Sequence, residues 1–165
     1  MLEIRPIEAS DYNSIVNILN PFIENTAVTF DTSPYTVESR QSWFNQFRQT
    51  GRHQCLVAEA AGSIVGYANS SALRPKAAYD TSVEVSIYRA PNYREPGLGT
   101  LLYQALFDRL SEEDVHRAHA VITLPNDASV ALHKKMGFYD VGVLNEAGRK
   151  FGQFHSVLWM EKKLA

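Results

Sequence analysis

Cysteine is almost missing from this chain: Cys55 stands alone among 165 residues, so no internal disulfide can form, and no Cys/His cluster has metal-ligand spacing. A strong charge of either sign is missing too. The formal net charge is −2 and no run of Lys or Arg extends beyond a few residues, which argues against a nucleic-acid or membrane-surface partner. No apolar run approaches bilayer length, and the start, Met1-Leu2-Glu3-Ile4-Arg5, has no signal-peptide core, so a soluble, cytoplasmic protein is expected. Internal repeats, low-complexity tracts and linkers are absent as well. Residues 1–165 are therefore expected to make one domain, with 45% hydrophobic residues to fill its core. Cys55, inside the apolar run Cys55-Leu56-Val57-Ala58, reads as a buried structural thiol.

Hydrophobic periodicity divides the chain. A strand is predicted near Leu2 to Pro6, then a helix capped by Ser10, with Ile15, Val16, Ile18 and Leu19 on its apolar face and Pro21 disturbing it. Asn25 to Pro34 reads as extended and turn-rich, and a second helix from Thr36 to Gly51 carries Val37, Trp43, Phe44 and Phe47. Strands follow at Gln54 to Glu59 and Ile64 to Ala72, around the turn Ala61-Gly62-Ser63. Leu73 to Asp80 is too polar for a core strand and becomes a basic loop with an aromatic. Later come a strand at His119 to Leu124, a short helix from Asn126 to Met136 stopped by Gly137, and strands around Phe138 to Leu144 and Gln153 to Met160. Strands outnumber helices and several adjoin in sequence, which predicts an α+β or mixed α/β fold on one sheet.

The most informative stretch is Tyr93-Arg94-Glu95-Pro96-Gly97-Leu98-Gly99-Thr100. Before it, Val83-Glu84-Val85-Ser86-Ile87-Tyr88 is rich in β-branched and aromatic residues and reads as a strand; after it, Leu98, Leu101, Leu102, Ala105, Leu106 and Leu110 make one apolar helix stripe. A helix therefore begins at the glycines. Its first N–H groups have no intrahelical acceptor and carry partial positive charge, so a phosphate fits there without any side chain. The stretch lacks the Lys-Ser/Thr pair of a Walker loop and the full dinucleotide fingerprint. What remains is Arg94-x-x-Gly97-x-Gly99.

That pattern resembles the R/Q-x-x-G-x-G/A pyrophosphate loop of the GNAT acetyltransferase superfamily. The segment Asn126-Asp127-Ala128-Ser129-Val130-Ala131-Leu132-His133-Lys134-Lys135-Met136-Gly137-Phe138 resembles the N-x-x-(S/A)-x-x-L-(Y/H)-x-x-x-G-F motif of the same superfamily. Within it, Arg74-x-Lys76-x-x-Tyr79-x-x-Ser82-Val83-Glu84-Val85-Ser86-Ile87-Tyr88 looks like the signature of the phosphinothricin and methionine sulfoximine N-acetyltransferases. Glu24-Asn25-Thr26 with Thr29-Phe30 is similar to that family's acceptor-side loop, and Gly148 to Gly152 with Val157 to Met160 to its closing hairpin. The resemblance implies the GNAT fold, a central twisted, mostly antiparallel sheet flanked by about four helices. It also implies acetyl-CoA as donor, a small amino-acid-like acceptor, and a homodimer with the acceptor pocket near the subunit interface.

Residue by residue, the resemblance places Ile87, Tyr88 and Arg89 along the pantetheine, with Asn126 and Ser129 beside it, and Arg94, Glu95, Pro96, Gly97, Leu98, Gly99 and Thr100 around the pyrophosphate. His133 takes the place of a sulfur-facing tyrosine and could protonate the departing thiolate; read without the resemblance, it is a half-buried histidine under the sheet edge, and Asn126 and Gly137 are a helix cap and stop. Phe30, Arg74, Lys76, Tyr79, Glu84 and Val85 fall on the acceptor side, Arg74 for a carboxylate and Tyr79 for a side-chain oxygen. Phe30 could equally be a core aromatic, and Lys76 part of a solvated basic loop. Glu84, on a strand with apolar neighbours, is the candidate general base, the alternative being a carboxylate paired with Arg74. Lys76 stands where the signature has a second arginine, turning a bidentate fork into a point charge. Glu95-Pro96 stands where Gly-Lys is common, removing an N–H and a positive charge beside the phosphates. No metal is called for. Two other functions stay open: a peptide N-terminal acetyltransferase, which needs an open groove, and a non-catalytic acyl-CoA-binding regulator.

Overall fold

The computed structural model describes residues 1–164. Strands β1 (Leu2–Pro6), β2 (Cys55–Ala60), β3 (Ser63–Ala72), β4 (Ser82–Arg89), β5 (Arg117–Thr123), β6 (Tyr139–Lys150) and β7 (Gln153–Lys163) make one sheet in the order β1-β2-β3-β4-β5-β7-β6. Every neighbouring pair is antiparallel except β4 and β5. Helices α1 (Tyr12–Asn25), α2 (Gln41–Asn45), α3 (Leu98–Ser111) and α4 (Asp127–Lys135) cover the faces. The parallel pair needs a crossover, and α3 supplies it. This is the mixed, mostly antiparallel architecture expected from the sequence. Among the described residues no helix is long and apolar enough to cross a membrane.

Alternation along the strands splits the core in two. Leu56 and Ala58 of β2, Ala68 of β3 and Val83 and Val85 of β4 face Leu98, Leu102, Tyr103, Leu106 and Leu110 of α3. Cys55, Val57 and Tyr67 face the other way, onto Ile15, Val16 and Ile18 of α1 and Phe44 of α2. Cys55 is buried, as its apolar run predicted, and burial pushes its thiol pKa up, leaving it protonated.

Several boundaries move for identifiable reasons. Helix α1 is not started by Ser10, which is exposed; a short 3-10 turn precedes it, and the buried Asp11 carboxylate accepts the Glu8 N–H at 2.8 Å. Pro21 does not break the helix, which continues to Asn25 because Ile15, Ile18, Leu19 and Ile23 are all buried along one face. The second helix is far shorter than Thr36 to Gly51: a 3-10 turn at Glu38–Arg40 leads into α2, and the Arg48 N–H bonds to the His53 carbonyl instead of continuing the helix. Strand β6 runs on to Lys150, past the predicted Leu144, through a bulge where Glu146 has φ 52° and its N–H reaches Ser156 Oγ at 3.0 Å.

The N-terminal half of the sheet is tied to α1 by one cation. Arg5 of β1 donates to both Asp11 oxygens at 2.8 and 2.9 Å and to Glu59 of β2 at 2.9 Å. Burial pushes the Asp11 pKa up, but Arg5 and the Glu8 N–H overcome it and hold the carboxyl below its ordinary 3.8. A depressed pKa stabilises the native state above pH 3.8 and loses that contribution as pH falls through the native value. Arg5→Met strands the buried carboxylate. It should cost about 3 kcal/mol at pH 7, and the difference from the parent should shrink as pH falls below 3.8 and the carboxyl is protonated, as read by denaturant melts across pH.

Candidate active site

Strands β4 and β5 pair at only three positions, Ser82–Arg117, Val83–Ala118 and Glu84–His119. Beyond Glu84, β4 keeps its β3 partner up to Arg89 but has none on the other side, so alternate main-chain N–H and C=O groups there are free. A cleft of about 460 Å³ occupies the opening, lined by Val85, Ser86, Ile87, Tyr88 and Arg89, by Ala120, Val121 and Ile122 of β5, and by the first turns of α3 and α4. Gly97 sits at φ 88° and ψ −4° just before α3, a left-handed conformation that any side chain would strain, and Gly97, Gly99 and Thr100 bring the start of the helix to this cleft. At the start of α4, Asn126 Oδ1 accepts the Ser129 N–H at 3.2 Å, so Asn126 is a helix cap as well as a cleft residue.

A second cavity, of about 670 Å³, lies on the α1 and α2 face. Glu84, Ser86 and Tyr88 of β4 and Tyr67, Asn69 and Ser71 of β3 form its floor, while Phe30, Asp31, Arg40, Trp43, Leu144 and Val157 are in its walls. The two spaces share Val28, Ser86, Tyr88 and Val121, so they meet where β4 and β5 part. Burial pushes the Glu84 pKa up, with no cation offsetting it. Gly148 of β6 packs so closely on Phe30 that a Cβ there would overlap the ring. Nearby, Lys150 Nζ donates to the Thr29 carbonyl at 2.9 Å; the 28–31 loop is thus clamped by the β6–β7 hairpin.

His133 is buried in the wall of the cleft. Its Nδ1 lies 2.7 Å from the Ser129 carbonyl, which can only accept, so Nδ1 carries the proton and Nε2 accepts from the Tyr103 hydroxyl at 2.8 Å. Burial lowers its pKa against the opposing pull of the Ser129 carbonyl, which keeps the ring neutral.

The sequence matches the acetyltransferase (GNAT) family over residues 14–138. The chain belongs to the GNAT acetyltransferase family. A phosphinothricin N-acetyltransferase of Streptomyces coelicolor is 44% identical over 99% of this chain and 96% of its own. An L-methionine sulfoximine/L-methionine sulfone acetyltransferase of Pseudomonas aeruginosa is 32% identical over 98% and 94%. The crystal structure of a phosphinothricin acetyltransferase from Sinorhizobium meliloti with acetyl-CoA superposes at TM-score 0.93, with 30% identity over 99% and 89% of the two chains. This chain is an N-acetyltransferase of that family.

Within the acetyltransferase, the anticipated residues divide into those the fold gathers and those it does not. Ile87, Tyr88, Arg89, Gly97, Gly99, Thr100, Asn126, Ser129 and His133 line the cleft; Phe30 and Glu84 line the second cavity. Val85, anticipated on the acceptor side, is buried facing α3 and the cleft, because alternation puts it opposite Glu84 and Ser86. Arg94 folds back onto its own loop, donating to the Pro91 carbonyl at 2.6 Å, and Glu95 and Pro96 are exposed outside the cleft. The Leu98 side chain enters the core, leaving only its main chain for the turn. Arg74, Lys76 and Tyr79 are exposed on the loop between Ala72 and Ser82 and line neither space. Glu84 has no ion-pair partner among the described residues, so the pairing with Arg74 is not formed. Neutral, with both nitrogens engaged, His133 fits a positioning role for Tyr103 and α4 better than that of proton donor.

Tyr103 in the cleft, and Arg40, Asp31, Tyr67 and Asn69 in the second cavity, are lining residues that the sequence did not single out. For Arg40 a signal existed, a lone cation between Tyr35 and Trp43, since guanidinium and aromatic rings at such spacing stack. For the others no local pattern distinguishes a pocket wall from a core strand.

The lowered His133 pKa has a sign that can be tested. Unfolded histidine takes a proton near 6.5 while the native ring resists it, so stability is full above 6.5 and falls as pH drops through the lowered native value. His53 and His119 are lowered by burial in the same way and add to the slope. His133→Gln should melt lower than the parent at pH 7 yet lose less further stability between pH 6.5 and 5, measured by thermal denaturation.

Proposed function

We propose that this protein is an acetyl-CoA-dependent N-acetyltransferase of small amino acids or analogues of the phosphinothricin, methionine sulfoximine and methionine sulfone type. One observation carries this reading: Glu84, desolvated and without an ion-pair partner among the described residues, lines a cavity that meets the cleft at the parting of β4 and β5. Acetyl-CoA supplies an activated thioester. The free main-chain groups of Ile87, Tyr88 and Arg89 would hold its pantetheine, and the N–H groups of Leu98, Gly99 and Thr100 its pyrophosphate, with Asn126 and Ser129 along the arm. A β4 N–H facing the carbonyl oxygen would stabilise the charge that develops there.

Glu84 takes the proton from the acceptor's ammonium, directly or through water, and leaves a neutral nitrogen free to attack. A raised carboxyl pKa makes it a stronger base for that step. A departing thiolate, whose thiol has a pKa of about 8.5 in the cysteine case, needs little help at neutral pH, in keeping with an unprotonated His133 Nε2. Arg74, Lys76 and Tyr79 would act at the rim, on the loop that leaves the cavity at Ala72 and returns two residues before Glu84. Phe30, Leu144 and Val157 wall a cavity whose size suits a small acceptor.

A homodimer fits β6, a twelve-residue edge strand that exposes Val141, Val143 and Leu144, with Phe154 on the adjoining β7; such an edge calls for a cover. A cytoplasmic setting fits the single buried free thiol.

Acetyl transfer is tested by thiol release with phosphinothricin or methionine sulfone as acceptor. Glu84→Gln should lower kcat by about 10²–10⁴-fold with little change in the KM for acetyl-CoA, and should abolish the rise of kcat with pH through the elevated carboxyl pKa. An unaltered pH profile would move the base elsewhere.

A further inference from the structure

The cavity beside Glu84 contains polar side chains that nothing in the fold satisfies. Arg40 Nε, the Tyr67 hydroxyl and Asn69 Oδ1 are buried without a hydrogen-bond partner among the described residues, and all three side chains line the cavity. Arg40 is 9% exposed, Asn69 3% and Tyr67 1%. Arg40 also forms no ion pair among the described residues. A buried guanidinium without an acceptor is costly, which points to a partner brought in from outside. The Arg40 guanidinium carbon stands 4.4 Å from the Tyr35 ring centroid and 4.0 Å from the Trp43 ring centroid, while Nε has no partner among the described residues.

Register fixes where this cluster sits. On the shared face, Ser71 pairs with Glu84, Asn69 with Ser86 and Tyr67 with Tyr88, so Asn69 and Tyr67 stand roughly 7 and 13 Å along the strand from the Glu84 level. An α-carboxylate is only two bonds from the amine's own carbon and cannot span that distance. The end of the acceptor's side chain, several bonds further from the amine, reaches along the strand toward Asn69, with Tyr67 beyond it. Asn69 Nδ2 now donates to Ser71 Oγ at 3.1 Å, but that hydroxyl can donate as well, so the amide can turn its NH₂ into the cavity and keep the bond. Asp31, the carboxylate on the same wall, accepts the Tyr35 and Thr29 hydroxyls at 3.0 and 3.2 Å and forms no ion pair with Arg40 among the described residues.

We infer that Arg40, Tyr67 and Asn69 form a subsite for the distal oxyanion of the acceptor's side chain, a phosphinate or carboxylate, while the α-amine lies at Glu84. This rests on the cavity being the acceptor site and adds the residues that read the acceptor's far end. An anionic tail is then preferred over a neutral tail of the same shape, and the preference resides in Arg40.

The test compares kcat/KM for phosphinothricin, with its anionic phosphinate, and for methionine sulfone, with a neutral tail, in the parent, Arg40→Gln and Arg40→Lys proteins. The ratio of the two is unaffected by how much of a preparation is folded. Arg40→Gln should cut the anionic-to-neutral ratio about 10- to 100-fold, chiefly through KM, with Arg40→Lys between it and the parent and the KM for acetyl-CoA unmoved. Should Arg40→Gln not fold, Tyr67→Phe removes only a hydroxyl and should raise the phosphinothricin KM several-fold. A ratio unchanged in Arg40→Gln, or an unchanged KM in Tyr67→Phe, overturns the subsite while the acetyltransferase reading stands. A parent protein inert toward both acceptors overturns both.

Discussion

The short parallel pairing of β4 with β5 is the constraint on which the rest of the structure depends. Two parallel strands that stayed paired would bury each other's main chain and leave a closed sheet. Here the ladder stops at Glu84 and His119, and the remaining five residues of β4 keep one row of main-chain groups free. Such groups are tolerated only where water or a ligand can reach them. The first turns of α3 and α4 converge on the same opening, so their unpaired N–H groups and those of β4 face one space. Recognition by main chain follows from this geometry and asks little of the side chains.

Electrostatics then separates the two sides of β4. On the α3 and α4 face His133 is engaged in the wall, held neutral by burial, with Ser129 and Tyr103 on its two nitrogens. On the other face, Glu84 is desolvated and Arg40 lines the same cavity. A carboxylate near the parting and a cation in the same cavity suit a molecule with an amine at one end and an oxyanion at the other. The β6–β7 hairpin presses Gly148 on Phe30 and Lys150 on Thr29, so the wall that closes this cavity is set by the far edge of the sheet.

Legibility varied with the range of the interactions. Elements whose signal is periodic, such as β4 and α3, came out where the pattern put them, although Leu101 of the expected α3 stripe is exposed and Tyr103 and Phe107 join the buried face. Elements governed by packing did not. Pro21 lies within a helix because four buried apolar residues outweigh one missing N–H, and α2 is short because Arg48 finds a strand-like partner in His53. The site shows the same division. Gly97, Gly99, Asn126, Ser129 and Glu84 sit in local motifs and line the two spaces; Val85 lies on the α3 face, which strand alternation sets, while the Arg94 side chain folds onto its own loop and that of Leu98 enters the core, neither of which a motif position specifies.

The sequence by itself determined the succession of strands and helices, the helix that starts at Gly97, and the presence of a carboxylate on a strand of apolar neighbours. These follow from properties within reach of a few residues: side-chain period, glycine's access to left-handed backbone, and helix caps. Only the tertiary structure decided that β4 and β5 part after Glu84, that His133 is neutral beneath Tyr103, and that Arg40 reaches the cavity floored by Tyr67 and Asn69. Each of those depends on groups 25 or more residues apart, and desolvation, which sets their charge and their need for partners, exists only once the chain has packed.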